Sequence, residues 1–373
     1  MKKLHIVSFN VPYPANYGGV IDVYYRIKAL RNIGVDVELH TFQYGRPESE
    51  ELRELCGEVH YYHRKTGIFS ALSSRPYIVQ SRRSEELIDN LERDNAPILL
   101  EGLHCCYVLE RIENRRVFVR AHNVEHDYYS RLADVEKSLF RKMYLRSDAR
   151  KLERYEPVIR KADAVLAVTE SDADHFRSIG CKNVVLMPSS HIDDSVVSKP
   201  SRLSMEGEGY VLYHADLSVP ENVESVFFLA NNVFSGSTHR FVVAGRNPAP
   251  AVVEAIAKLP NAELRANPDE EQMKGLIADA QVIMMTTPMP TGLKLKLLNS
   301  LYAGRHCLVN SAMVAGTKLG EVCTVADSGQ DLRDALDRLM RTPFTADDIR
   351  RREDMLGSLY SNQANAQILV SLL

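Results

Sequence analysis

Tryptophan is absent from this chain of 373 residues, cysteine is sparse, and no long hydrophobic run occurs. The six cysteines form no CxxC pair and no metal-type spacing, which argues against a disulfide scaffold or a cysteine-based zinc domain. No stretch approaches the roughly 20 apolar residues that a membrane-spanning helix needs. The formal net charge is only −3, so the composition does not suggest a nucleic-acid partner.

The amino terminus carries two lysines, Lys2 and Lys3, before a short apolar run over residues 4–9. This run is broken at Asn10 and is too short for a signal peptide, so we expect a first β-strand. Unpaired thiols are typical of a reducing compartment. We therefore expect a cytoplasmic protein.

The overall composition is that of a globular protein, with 45% hydrophobic and 25% charged residues. The length favours two domains. Apolar, β-branched runs alternate with segments of helical spacing, which predicts βαβ units and parallel sheets. The predicted strands cover residues 4–9, 35–42, 98–103, 117–121, 164–169, 184–187, 210–214, 240–244, 262–265, 281–286, 306–310 and 322–325.

A break in this alternation divides the chain. Residues 189–209 are rich in Ser, Asp, Gly and Pro and are predicted to be a linker. We expect a first domain over residues 1–195, a second over 205–350, and a helical tail over 351–373. In open α/β sheets, ligands bind beyond the carboxyl ends of the strands, so residues directly after strands are the candidate site residues.

Two segments that directly follow predicted strands lie in the first half of the chain. Residues 12–19 (PYPANYGG) end in Gly18 and Gly19 before a predicted helix over 20–32, an arrangement that brings backbone N–H groups towards an anion. His122 follows the strand over 117–121, among other polar side chains that are costly to bury unless they are paired or used. Glu101 and His104 are expected at the same edge. The alternatives are an ordinary strand–helix turn and a satisfied polar turn.

In the second half, residues 243–248 (VAGRNP) place Gly245 and Arg246 at the end of a strand, where an arginine can hold a phosphate in a bidentate contact. Residues 288–299 (PMPTGLKLKLLN) turn at Gly292 and begin a helix near Leu293. The helix then carries positive charge in its first turn, at Lys294 and Lys296. The N-terminal end of a helix carries a partial positive charge, so a lysine there is unfavourable unless an anion binds nearby. The alternatives are a surface arginine and two solvated lysines.

Taken in order, these segments resemble a family of bacterial glycosyltransferases, the retaining family-4 (GT4-like) enzymes. Residues 120–129 (RAHNVEHDYY) and 161–172 (KADAVLAVTESD) add to the series. Residues 288–299, followed by Ala303 and Gly304, align in frame with the family's most informative segment. The resemblance implies an α/β protein of the GT-B fold. In that fold two Rossmann-like, doubly wound domains face each other across a cleft, and the C-terminal helix crosses back to the N-terminal domain.

The resemblance also implies the activity. Such enzymes transfer a hexosyl group with retention, and without a metal, from a nucleotide-diphosphate sugar to a hydroxyl group. For this chain the donor is expected to be a UDP- or GDP-sugar and the acceptor a glycan or lipid-linked molecule, in polysaccharide biosynthesis at the cell envelope. No other cofactor is expected. The resemblance assigns catalysis to His122, Lys294, Lys296 and Arg246, and donor binding to Gly18, Gly19, Gly245, Thr291, Gly292, Leu293 and Asn299.

The sequence departs from the family at two glutamates. They are replaced by Thr291 and Asn299, which can hydrogen-bond to hydroxyls only as neutral groups. Residues 211–222 also lack the arginine and lysine that relatives often place there. Two alternatives to the transferase therefore stay open: a glycosyltransferase-like binding subunit with impaired catalysis, and a nucleotide-sugar 2-epimerase of the same fold.

A basic segment in the first half raises a separate possibility. Residues 137–161 contain nine lysines and arginines against three acidic residues and have the pattern of one long helix. Such a helix can lie on an anionic membrane, which would make the protein peripheral to the inner face of the plasma membrane. The alternative is an ordinary solvated helix face.

Overall fold

The structure is a computed structural model that describes residues 2–67, 70, 73–136, 138–192, 196, 198–200, 209–290 and 292–373. The chain forms two compact units. The first consists of residues Met1–Ser190 together with Leu359–Leu373, and the second of residues His191–Ser358. Of the boundaries expected from the sequence, positions 195 and 205 lie outside the described residues, and position 350 falls within a helix of the second unit.

The first unit is built on a seven-stranded parallel sheet in the order β3-β2-β1-β4-β5-β6-β7. Its central strands are largely apolar because both faces of the sheet are covered, as is usual for parallel sheets. They are β1 Lys2–Ser8, β2 Val35–Gln43, β3 Glu58–His63, β4 Ile98–Glu101, β5 Val117–Ala121, β6 Ala164–Ala167 and β7 Val184–Leu186.

The helices of the first unit pack their apolar sides on this sheet. They are α1 Gly18–Asn32, α2 Glu50–Leu55, α3 Tyr77–Gln80, α4 Glu85–Leu91, α5 Glu125–Val135, α6 Leu139–Tyr155 and α7 Glu170–Ser178. Short 3-10 segments follow β4 and α6, at Leu103–Glu110 and Glu156–Lys161.

The second unit repeats the plan with six parallel strands in the order β10-β9-β8-β11-β12-β13. The strands are β8 Val211–Asp216, β9 Phe241–Arg246, β10 Ala262–Ala266, β11 Val282–Met285, β12 His306–Val309 and β13 Thr324–Val325. Its helices are α8 Pro220–Leu229, α9 Pro250–Ala257, α10 Glu270–Asp279, α11 Leu295–Ala303, α12 Ser311–Val314, α13 Gly329–Leu339 and α14 Ala346–Leu359.

The last helix, α15 (Asn362–Leu372), belongs to the first unit. Its Ala366 and Leu369 are buried in the same cluster as Ile27 and Leu30 of α1. Ser361 accepts a hydrogen bond from the backbone N–H of Ala364 and so caps the helix at its start. The tail is therefore held by apolar burial on α1.

The order of strands reverses once in each sheet, between β1 and β4 in the first unit and between β8 and β11 in the second. Helices that leave two such strands pass to opposite faces of the sheet and open a crevice at the carboxyl edge. Among the described strands, each sheet therefore has one switch point at which a ligand can bind.

Four local features differ from the sequence-based expectations. β3 (Glu58–His63) was not expected as a strand. Helix α1 begins at Gly18 rather than at residue 20, and α11 begins at Leu295 rather than near Leu293. The basic segment 137–161 is not one helix: α6 ends at Tyr155 and a 3-10 segment follows, and residue 137 lies outside the described part.

Candidate functional site

The crevice of the second unit is lined by helix N-termini that lack side-chain caps. Among the described residues, no side chain caps the start of α8 at Val219, of α9 at Ala249 or of α11 at Lys294. By contrast, Asp269 caps α10 and Ser328 caps α13. The uncapped helices follow the central strands β8, β9 and β11, so their backbone N–H groups and positive dipole ends gather where an anion can bind.

The ammonium group of Lys296, in the first turn of α11, lies between α11 and α8 at the crevice. It donates a hydrogen bond of 2.8 Å to the side-chain oxygen of Asn222 on α8, and it lies 5.4 Å from the centre of the Tyr213 ring. One turn further along α11, Ser300 is bonded to the buried His214 of β8 at 2.8 Å. These contacts hold α11 against α8 and β8, and they fix the ammonium at the crevice.

Burial makes the charged forms of the two lysines at this crevice unfavourable. Burial lowers the pKa of Lys296 to about 8, with Glu221 raising it and Lys294 lowering it further. Burial also lowers the pKa of Lys294, again opposed by Glu221. An anion bound between the two ammonium groups relieves this penalty because it favours their charged forms.

The loop before α11 adds a buried hydroxyl. Within the described residues, the side-chain oxygen of Thr286, at the end of β11, has no hydrogen-bond partner, although the residue is buried. Gly292 has φ of +66°, a left-handed conformation that glycine adopts without strain. Leu293 and Asn299 are both half-buried. Thr291 falls outside the described residues.

Gly245 and Arg246 end β9 in the same sheet. A Cβ at Gly245 would lie 1.8 Å from the carbonyl oxygen of Ala215, so glycine is required here by the close approach of β8. This intramolecular contact accounts for the glycine without a ligand. Arg246 is exposed. Burial raises the pKa of Asp216, but the hydrogen bonds from Ser218, followed by the charge of Arg246, outweigh burial and lower it.

In the first unit, four buried charged side chains and the half-buried His122 form a cluster beside the reversal between β1 and β4. Arg120 of β5 donates to Asp22 at 3.0 Å, and Arg26 pairs with both Asp22 and Glu101. His122 lies between the two carboxylates, with Nε2 3.0 Å from Glu101 and Nδ1 3.4 Å from Asp22. Both ring nitrogens of His122 are thus engaged.

The two arginines of this cluster balance the charges of its two carboxylates. Burial on its own raises the pKa of the Asp22 carboxyl, but Arg120 and Arg26 outweigh burial and hold the pKa below its ordinary value. The pKa of Glu101 is also lowered, because Arg26 and His122 outweigh its burial. Asp22, Glu101 and His122 present atoms close enough to hold a metal ion, but the arginines already neutralise both carboxylates, which disfavours an additional cation.

The paired glycines begin α1 next to this cluster. A Cβ on Gly19 would lie 2.7 Å from the ring of Phe9, and that ring packs against His104 and His122. Burial raises the pKa of the nearby Glu125 to about 8, with Glu156 adding to the effect. Gly18, Gly19 and His122 lie at the carboxyl edge of the first sheet. Lys296 and Asn299 lie on α11 and Lys294 at its N-cap, and α11 follows β11 in the other unit.

Two residues of these sites were not singled out from the sequence: Asp22 and Arg26. Asp22 and Arg26 lie on the buried side of α1 among Val23, Ile27 and Leu30. A charged pair four residues apart on an otherwise apolar helix face is a signal that the sequence contains.

The structure resembles many solved glycosyltransferases of the GT-B fold. The lipopolysaccharide outer core galactosyltransferase WaaB matches with a TM-score of 0.65 and 14% identity, over 99% of both chains. A glycosyltransferase from Rickettsia africae matches with a TM-score of 0.63 and 13% identity, over 100% of this chain and 98% of that one. The chain therefore has the expected α/β, GT-B-type fold.

Sequence comparison adds one relative. An uncharacterized 44.6 kDa protein in the cps region of Klebsiella pneumoniae is 27% identical over 362 residues, which covers 91% of this chain and 89% of that protein. No family model matches the sequence. None of the described helices has the length and apolar character to cross a membrane.

Proposed function

We propose that this protein is a retaining, GT4-like glycosyltransferase that transfers a hexosyl group from a nucleotide-diphosphate sugar to a hydroxyl group. The observation that carries the proposal is the position of Lys296, a half-buried ammonium between the uncapped N-termini of α8 and α11 at the strand-order reversal. A diphosphate is the ligand that satisfies both the backbone N–H groups and the ammonium.

In this proposal the leaving nucleoside diphosphate is stabilised by fixed charges rather than by a metal ion. Lys294 and Lys296 neutralise the phosphate oxygens as the bond to the sugar breaks, and the N–H groups at the start of α11 add oriented dipoles. Arg246 supplies a further cation from β9. Donors that are already in place cost no reorganisation at the moment of reaction.

The neutral side chains Thr291 and Asn299 contact the sugar or ribose hydroxyls. Gly292 and Leu293 present the loop backbone, and Gly245 keeps β9 close to β8. We favour a UDP- or GDP-sugar as donor, with no further cofactor.

The first unit serves the acceptor in this proposal. Because both nitrogens of His122 face carboxylates, its role is to shape the sugar and acceptor pocket next to Gly18 and Gly19 rather than to move a proton. A glycan or lipid-linked acceptor is supported by the relative from a cps region and by the similarity to a lipopolysaccharide galactosyltransferase.

We also propose that α6 contacts an anionic membrane. Its first turns expose Leu139, Phe140 and Met143 by 79%, 84% and 72% of their surface, and Arg141 and Arg146 are exposed beside them. Apolar side chains at positions i, i+1 and i+4 with neighbouring cations suit the boundary between headgroups and acyl chains. Sedimentation with vesicles tests this proposal: Leu139→Ser with Phe140→Ser should release the protein from anionic vesicles, and undiminished binding would contradict it.

One observation favours a different reading, a binding subunit without turnover: the family's two glutamates are replaced by Thr291 and Asn299. Nucleotide release from UDP-, GDP-, ADP- and TDP-sugars in the presence of a lipid or glycan extract distinguishes the two. The transferase predicts release from one donor that depends on the acceptor and is lost in Lys296→Ala. Binding of a donor without release across the panel would support the subunit.

A further inference from the structure

Two histidines and a glutamate meet on the surface of the first unit, outside the cluster around His122. His126 is the second residue of α5, Glu156 follows the end of α6, and His175 lies on α7. The Nδ1 atom of His126 is 3.4 Å from one oxygen of Glu156, and Nε2 of His175 is 2.6 Å from the other. One nitrogen from each ring and a carboxylate oxygen lie within 4.8 Å of one another.

The surroundings of these three side chains are acidic. The other ring nitrogen of His126 lies 3.5 Å from the carboxylate of Asp127. Glu156 and Asp127 thus place a carboxylate against each ring nitrogen of His126. A carboxylate on the second nitrogen of a metal-bound imidazole is the usual way in which a protein orients that ring.

Hydrogen bonds within the described residues do not account for the whole arrangement. Nδ1 of His126 is buried and has no hydrogen-bond partner there, although it faces Glu156. Its separation from the carboxylate, 3.4 Å, is the distance between two ligands of a tetrahedral ion with bonds of about 2.0 Å. Nε2 of His175 hydrogen-bonds to the other oxygen of the same carboxylate at 2.6 Å, and an ion would replace this bond by lengthening the separation by about 0.7 Å.

We propose that His126, Glu156 and His175 bind a divalent transition metal ion of the zinc class. Imidazole nitrogens with one carboxylate oxygen form a ligand set that suits Zn²⁺ and Co²⁺. The side chains of His126 and His175 are 18% and 24% exposed, so the ion has an entry path and a fourth position that water can fill. Glu156 is 4% exposed and forms the base of the site.

The bound ion ties together three elements that the backbone does not join directly: the start of α5, the end of α6 and the middle of α7. It therefore stabilises the packing of the start of α5 against the end of α6. This site takes no part in the proposed sugar transfer, which uses Lys294 and Lys296 of the other unit.

A second histidine-rich group in the same unit provides a matched comparison. His5, Glu38 and His40 also lie close together, but here the two histidines hydrogen-bond to each other, with Nδ1 of His5 2.9 Å from Nε2 of His40. The ammonium of Lys3 contacts Glu38 at 2.6 Å and disfavours a further cation. His60, which also bonds Glu38 at 2.9 Å, is partly exposed and can be changed as a control.

The test is a titration of the full-length, tag-free chain with Co²⁺, followed by its visible absorption. We expect one equivalent to bind with the spectrum of a tetrahedral site, and Zn²⁺ to displace it. His126→Asn and His175→Asn should each abolish this spectrum, whereas His60→Asn should keep it. Circular dichroism establishes that each variant is folded.

A second measurement on the unmodified chain does not depend on any variant. Zn²⁺ should raise the midpoint of thermal unfolding, and a chelator should reverse the shift. The proposal is overturned if one equivalent of Co²⁺ produces no tetrahedral spectrum, or if the folded His126→Asn and His175→Asn variants bind it as the unmodified chain does.

Discussion

Replacement of Lys296 by methionine is expected to stabilise the protein and at the same time to prevent nucleotide binding. Methionine keeps the length of the side chain but removes the charge. In the folded chain, burial lowers the pKa of this lysine from 10.5 to about 8. At about 1.4 kcal/mol per pKa unit, keeping the ammonium charged in the fold costs about 3 kcal/mol.

Part of this gain is lost with the hydrogen bond to Asn222, which contributes about 1 kcal/mol. The net expectation is a rise of about 2 kcal/mol in the free energy of unfolding at pH 7. Because the pKa is lower in the folded than in the unfolded chain, the penalty applies below pH 8 and fades as the pH rises towards 10.5. The stability difference between the two proteins should shrink over the same range.

Urea unfolding of the unmodified chain, Lys296→Met and Lys296→Arg at pH 7 and pH 10 measures these differences. Lys296→Arg is the control, because it keeps the charge and should give no such gain. A lower free energy of unfolding for Lys296→Met than for the unmodified chain at pH 7 would refute the reasoning. The charged lysine would then stabilise the fold without a bound anion.

Three further predictions concern other residues. Asp22→Asn should lower the free energy of unfolding by about 3–5 kcal/mol, because it leaves Arg26 and Arg120 buried without a full counter-charge; urea unfolding measures this, and a change below 1 kcal/mol would contradict it. Gly245→Ala should markedly lower the thermal midpoint, because its Cβ overlaps the Ala215 carbonyl, whereas Gly275→Ala, with open space around its Cβ, should not. The affinity for a nucleoside diphosphate should fall as the pH rises from 7 to 9, because the anion requires the charged form of Lys296; calorimetry checks this, and an unchanged pH dependence in Lys296→Arg would count against it.

The alternation of strands and helices was predicted well from the sequence because parallel strands are buried on both faces and are therefore continuous apolar runs. This pattern did not predict β3. Glu58–His63 forms the edge of its sheet, is only partly buried, and includes two histidines and a glutamate. A polar edge strand has no apolar pattern to distinguish it from a loop.

The candidate site could be predicted in part. Lys294 and Lys296 were identified because positive charge in a first helical turn is unfavourable without an anion. Their partners Glu221 and Asn222 come from a helix more than 70 residues away, and only the strand order brings α8 next to α11. The cluster around His122 depends in the same way on contacts between distant parts of the chain.

Calorimetric titration of the unmodified chain and of Lys296→Met with UDP, GDP, ADP and TDP tests the central claim most directly. We predict that one nucleoside diphosphate binds the unmodified chain with a stoichiometry of one, and that Lys296→Met weakens this binding by roughly tenfold or more, since hydrogen bonds to charged groups contribute about 1.5–3 kcal/mol. Equal affinity of the two proteins for every nucleotide, or no binding by either, would contradict the account.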